Sequence, residues 1–263
     1  VLTGAIDVDG ARLAYRLDGP ENAPALVLAH SLGLNMRMWD PQMSGLAVRF
    51  RVVRYDSLGH GGSAAPAGPY TLDRLALDLI ALLDALGIER ADMCGISLGG
   101  MVAQWVAINR PERVRRLVLA NTSARIGTEA SWTERMEAVR SGGMEAIRDR
   151  VMARFLSDRF RRERRNETRQ IAQMLESTPA EGYIATCAAL RDADLRSQIG
   201  SIRAPVLLIA GGLDVAVPVS QMQELHAAIA GSELTVLQDA AHLASVEQPE
   251  TFTKHVLTFL SVS

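Results

Sequence analysis

Cysteine is nearly absent from this chain: only Cys94 and Cys187 occur among 263 residues, too few for a disulfide scaffold. Two free thiols in a reducing cytoplasm are expected, with Cys94 a small buried hydrophobe. An excess of one charge is also missing. Lys and Arg number 28 against 30 Asp and Glu, a net charge of −2, so nothing favours broad attraction to nucleic acid or anionic membrane. No apolar run reaches the roughly 18 residues of a membrane span. The first residues show no basic stretch followed by an apolar core, so no secretory leader is expected. Internal repeats and low-complexity tracts are lacking. What remains is length and 48% hydrophobic content, enough for one sizeable core with room for a small appended subdomain.

The pattern along the chain is that of an α/β fold. Ala5-Ile6-Asp7-Val8 and Arg12-Leu13-Ala14-Tyr15 flank Asp9-Gly10, a hairpin signal. The continuous apolar run Ala25–Ala29 suits a strand buried on both faces, and Arg51–Tyr55 and Val114–Ala120 also read as strands. Thr71–Leu86 carries leucines at helical spacing and stops at Gly87, a C-cap residue. Met101–Asn109 also reads as helix. After Asn121 the rhythm changes, and four helices are expected at Glu129–Ser141, Met144–Phe155, Phe160–Glu176 and Pro179–Arg191. The arginine run Arg161–Arg165 reads as a solvated face rather than a phosphate site. Alternation resumes with a strand at Val206–Ala210, a helix at Ser220–Ala230, a strand at Leu234–Leu237 and a helix at Pro249–Leu260. The expected architecture is a mostly parallel, eight-stranded sheet flanked by helices. Residues 1–123 and 196–263 form the core. A helical cap, 124–195, follows the sixth strand and lies over the strand ends where ligands bind.

Gly95-Ile96-Ser97-Leu98-Gly99 carries the chemistry. A strand ending in G-x-S-x-G and feeding a helix makes a strained turn that exposes the serine hydroxyl at the helix N-terminus. A serine hydroxyl needs a base. Of five histidines, His30 and His60 sit in loops after early strands, and His226 and His255 fall within helices. His242 stands in a loop after a late strand and completes the order Ser…Asp…His. Asp214, directly after Val206–Ala210, is the expected acid. Asp239 is the rival, better suited to capping its own loop. Position 121 is asparagine and cannot supply the charge. The backbone amides of Leu98 and Leu32 are the expected oxyanion donors.

Together these stretches, with Asp56-Ser57-Leu58-Gly59-His60-Gly61-Gly62-Ser63, resemble the α/β-hydrolase superfamily over essentially the whole length. Further stretches are similar to the 3-oxoadipate enol-lactonases: Ser31-Leu32-Gly33 followed by Met38-Trp39-Asp40-Pro41-Gln42, Leu119–Gly127, Glu181-Gly182-Tyr183 with Cys187–Leu195, and Leu243–Pro249. Many members of that family read Asn-Ser-Leu-Gly where this chain has His30-Ser31-Leu32-Gly33. The resemblance implies hydrolysis of an anionic enol-lactone in aromatic catabolism through a Ser97 acyl-enzyme. It implies no metal and no organic cofactor. An enol-lactone bears a carboxylate, so a cation is expected in the pocket. Arg125, Arg135 and Arg191 lie in or beside the insert, and Trp132 shares a helical face with Arg135. Trp132 and Arg135 are the substrate-contact candidates. A general carboxylesterase, a cofactor-free perhydrolase and a non-catalytic lactone-sensing receptor stay open at this point, as does assembly into a homo-oligomer.

Overall fold

Alternating apolar runs and helical patterns build one eight-stranded sheet in the computed structural model, which describes residues 2–261. β1 (Leu2–Val8) and β2 (Ala11–Asp18) pair as an antiparallel hairpin. Asp9 and Gly10 between them take φ of 51° and 77°, the left-handed pair that such a two-residue turn demands. β3 (Ala25–Ala29), β4 (Arg51–Tyr55), β5 (Ala91–Ile96), β6 (Val114–Ala120), β7 (Val206–Gly211) and β8 (Glu233–Leu237) follow. Across the sheet the order is β1-β2-β4-β3-β5-β6-β7-β8. β2 runs antiparallel to β4, and every pairing from there to β8 is parallel. β5 and β7 are buried at every residue; β7 reads as an unbroken small and apolar run, and β5 is broken only by Asp92, which pairs with Arg115.

Between β3 and β4 lies the short α1 (Met43–Leu46); α2 (Leu72–Ala85) precedes β5 and α3 (Leu98–Asn109) follows it. Thr71 starts α2 by accepting a hydrogen bond from the Arg74 amide at 3.1 Å, and Gly87 leaves it at φ 65°. α3 begins at Leu98 rather than the expected Met101, because the serine turn opens directly into the helix. Five helices separate β6 from β7: α4 (Glu129–Gly142), α5 (Glu145–Phe155), α6 (Asp158–Glu163), α7 (Arg165–Glu176) and α8 (Ala180–Asp192). The single helix expected over Phe160–Glu176 is thus two. Arg164, at φ −113° and ψ 58°, leaves the helical region between them, and Ser157 caps a start at Asp158. In the charged run here, Arg162, Glu163, Arg164 and Arg165 are exposed. α4 packs on α5 and α8, and α7 on α5 and α6, so the segment makes much of its core with itself. The Leu195 amide donates to Ala124 O at 2.8 Å, so this segment leaves and rejoins the sheet at one place. α9 (Val219–Ala228) packs on β7 and β8, while α10 (Ala244–Glu247) and α11 (Pro249–Leu260) close the described chain. Cys94 and Cys187 are both free and buried.

Candidate active site

At the end of β5 the chain turns so tightly that Ser97 adopts φ 55° and ψ −116°, a conformation that L-residues avoid. Its glycine neighbours make the turn fit. A Cβ on Gly95 would lie 2.2 Å from Gly99 O, and one on Gly99 would lie 2.2 Å from Ala29 O. Three hydrogen bonds hold the turn. Ser97 N donates to Ala120 O at 3.1 Å, Thr122 Oγ1 to Ser97 O at 2.8 Å, and Gly99 N to His30 O at 3.1 Å. The strained backbone is therefore clamped by β6 on one side and the loop after β3 on the other.

His242 projects from the loop between β8 and α10. Its Nδ1 lies 2.8 Å from Asp214 Oδ2, and both residues are buried. Asp214 follows β7, and its carboxylate is fully occupied. Asn121 Nδ2 donates to Oδ2 at 2.9 Å, while the amides of Ala216 and Val217 donate to Oδ1 at 2.7 and 2.9 Å. Burial alone would raise this carboxyl. The His242 side chain, the Val217 amide and Asn121 together outweigh it and hold Asp214 below the usual carboxylate range. Asp214 thus stays ionised and can accept a proton from Nδ1, an arrangement that leaves Nε2 as the acceptor nitrogen. Asn121, at φ 43°, has a use beyond lacking charge: it orients the acid. Asp239 is exposed and makes no hydrogen bond among the described residues, so its expected capping role is not found. The reason is local: Gly212 N and Ala240 N both bond to Leu237 O and already close this turn through backbone alone.

Ser97 and His242 line one small chamber. Among the described residues the Ser97 hydroxyl makes no hydrogen bond, so it is free to meet either base or substrate. The amides of Leu32 and Leu98 likewise find no acceptor among the described residues. Leu32 lines the chamber, and Leu98 opens α3 one residue after the serine. From the insert come Trp132 and Arg135 of α4, whose guanidinium lies 4.8 Å from the Trp132 ring centroid. Trp132 Nε1 donates to Ile126 O at 2.6 Å, fixing the indole edge. Arg125 and Arg191 are elsewhere, paired with Asp194 and Asp192.

Three chamber residues had no signal in the sequence. Phe155 stacks on the His242 ring at 5.5 Å between centroids. Ser31 lies on the loop after β3, its hydroxyl buried without a hydrogen-bond partner among the described residues. Arg154 brings a second guanidinium to the chamber. The helical spacing of α5 alone could not show that Arg154 and Phe155 face the serine, since that depends on how the insert docks.

The family model for the alpha/beta hydrolase fold matches residues 24–249. The chain is 40% identical over 244 residues to 3-oxoadipate enol-lactonase 2 of Acinetobacter baylyi, covering 93% of this chain and 91% of that protein. A crystal structure of the enol-lactonase from Burkholderia xenovorans LB400 superposes with a TM-score of 0.97 at 40% identity, covering 98% of this chain and 100% of that one. A malate-bound thermophilic esterase from Thermogutta terrifontis superposes with a TM-score of 0.92 at 28% identity, covering 99% and 98%.

Proposed function

The chain belongs to the α/β-hydrolase fold family and is a hydrolase, and from that premise we propose that it opens the ring of 3-oxoadipate enol-lactone to give 3-oxoadipate. One observation carries the reading: a serine at a strained strand–helix turn shares a chamber with a histidine held by a buried, ionised aspartate. The 40% identity to enol-lactonases over nearly the whole chain supports the choice of substrate.

In this reading His242 Nε2 takes the Ser97 proton as Oγ attacks the ring carbonyl. The amides of Leu32 and Leu98 stabilise the oxyanion. Collapse breaks the ring C–O bond, and the enolate leaves as a resonance-stabilised group that takes the proton from the His242 imidazolium and becomes the ketone, returning His242 to its neutral form. Water, deprotonated by His242, then attacks the acyl-enzyme and releases the acid and Ser97. Arg135 binds the substrate carboxylate beside Trp132. The core of 1–123 and 196–263 carries the reacting groups, and the helical cap of 124–195 closes over them. The reaction belongs to the β-ketoadipate route of aromatic catabolism, with the enzyme working in the cytoplasm. Among the described residues no helix is long and apolar enough to cross a membrane.

The likeness to the Thermogutta esterase supports a second reading, a carboxylesterase on the same machinery. Loss of the enol-lactone chromophore with purified protein decides between them. Turnover at least about 100-fold better in kcat/KM than on 4-nitrophenyl acetate is expected for the lactonase, and the reverse order for the esterase. Ser97→Ala should lower kcat for either substrate by several orders of magnitude. Equal rates in wild type and variant would remove the serine mechanism altogether.

A further inference from the structure

Several surface arginines of the insert are paired. Arg140 meets Glu137, Arg148 meets Glu176, Arg150 meets Glu134 and Arg161 meets Asp158. The two arginines that line the serine chamber are not. Arg135 lies over Trp132 and beside the Tyr183 phenol, and no carboxylate pairs with it among the described residues. Arg154, half-buried on α5, has neither a hydrogen bond nor an ion pair among the described residues. Burial and the neighbouring guanidinium of Arg135 act against its charge, with Arg150 adding to them and Asp214 opposing. Two like charges converging on a half-buried chamber destabilise the empty protein. They become useful when an anion enters between them, because each guanidinium offers a planar fork that matches a carboxylate.

We propose that Arg154 and Arg135 together form a two-guanidinium subsite for the carboxylate of the acyl substrate, with Arg154 a specificity-determining residue that contacts that anion. The proposal rests on the serine-hydrolase reading above and narrows it to substrates carrying a carboxylate remote from the scissile carbonyl. α5 places the two ends of the substrate. Phe155, stacked on His242, marks the reacting end, and Arg154 one residue earlier reaches the far end.

The test compares mono-4-nitrophenyl succinate, an anionic ester, with neutral 4-nitrophenyl acetate. In wild type the ratio of their kcat/KM values should fall as sodium chloride is added, because the discrimination is electrostatic. Arg154→Gln should lower that ratio at least about tenfold, mainly through KM for the anionic ester. Arg154→Lys should fall between the two, since it keeps the charge and loses the fork. A ratio that salt and both variants leave unmoved would overturn the proposal. Should Arg154→Gln fail to fold, the salt series and Arg154→Lys still decide. Enol-lactone turnover is measured alongside. A ratio that follows Arg154 in a protein inert toward the enol-lactone removes the lactonase reading and keeps the subsite. Turnover of the enol-lactone with an unmoved ratio does the opposite.

Discussion

His30 and His60 are poor candidates for the base, yet they shape the site by joining its loops. His30 Nε2 accepts from Ser57 N at 2.9 Å while its Nδ1 faces Ser31 O at 2.8 Å. His60 Nε2 accepts from Gly33 N at 2.9 Å while its Nδ1 faces Leu58 O at 3.1 Å. Each ring donates one proton and accepts another, which only the neutral imidazole can do. Burial lowers His30 to about 4, and burial with the field of His30 lowers His60 to about 3. In the unfolded chain both titrate near 6.5. A base whose folded pKa is depressed takes up its proton first in the unfolded chain. Stability therefore falls as pH drops through about 6.5, and this contribution stops growing only below the folded values. The expected slope is about 1.4 kcal/mol per pH unit for each ring. His30→Asn removes one of the two groups, so its urea-unfolding free energy should fall less steeply than wild type between about pH 6.5 and pH 5. Parallel slopes would show that the buried rings do not set the acid limit.

Among the elements, those bounded by abrupt breaks were the most legible. Ala25–Ala29, Arg51–Tyr55, Val114–Ala120 and Pro249–Leu260 fall at the expected residues. The end of α6 at Arg164 was not legible, since neither glycine nor proline marks it. In the site, Ser97, His242 and Asp214 could be singled out because each follows a strand in a characteristic loop. Arg154 could not, because tertiary docking alone aims it at the chamber. Glu247 on α10 is another such residue. Its carboxylate accepts from Ala241 N at 3.0 Å, from Ser157 N at 2.9 Å and from the Ser157 hydroxyl. Leu243 N donates to Phe155 O at 3.0 Å. The loop bearing His242 is thus held on one side by the insert and on the other by Glu247, itself tied to Ser157 of the insert, which makes Glu247 a candidate positioning residue. Glu247→Gln presents an NH₂ group to existing donors and should loosen the loop. A small shift of the base should cost about tenfold in kcat with a lesser change in KM. Steady-state kinetics check this, and Ser157→Ala, which deletes one donor, should be milder. A change confined to KM would place Glu247 outside the positioning of the base.

At the scale of the whole molecule, the chamber is too small for the substrate proposed. Its volume is about 40 Å³, whereas pockets that hold small ligands span roughly 300–1,000 Å³. A groove of about 660 Å³ runs outside it between Ser123–Thr128 and α9, and Gly127 borders both spaces. This space holds little more than a few waters, so on the proposed reading the α4 side of the insert is expected to shift before a lactone can enter. Gly127, at φ 71°, stands where the chain passes into α4. A Cβ there would lie 2.9 Å from Trp132 Nε1, whose hydrogen bond to Ile126 O fixes the chamber wall. Gly127→Ala should therefore introduce about 1–2 kcal/mol of backbone strain and displace the indole. The expected result is a KM for the lactone raised about tenfold with a smaller loss in kcat, together with a lower thermal midpoint. Hydrogen exchange provides the second reading: saturating 3-oxoadipate should slow exchange across α4 and α5 in wild type, because a filled chamber holds the insert down, and less so in Gly127→Ala. If KM stays put and exchange ignores the product, the substrate enters by a path that leaves the insert at rest.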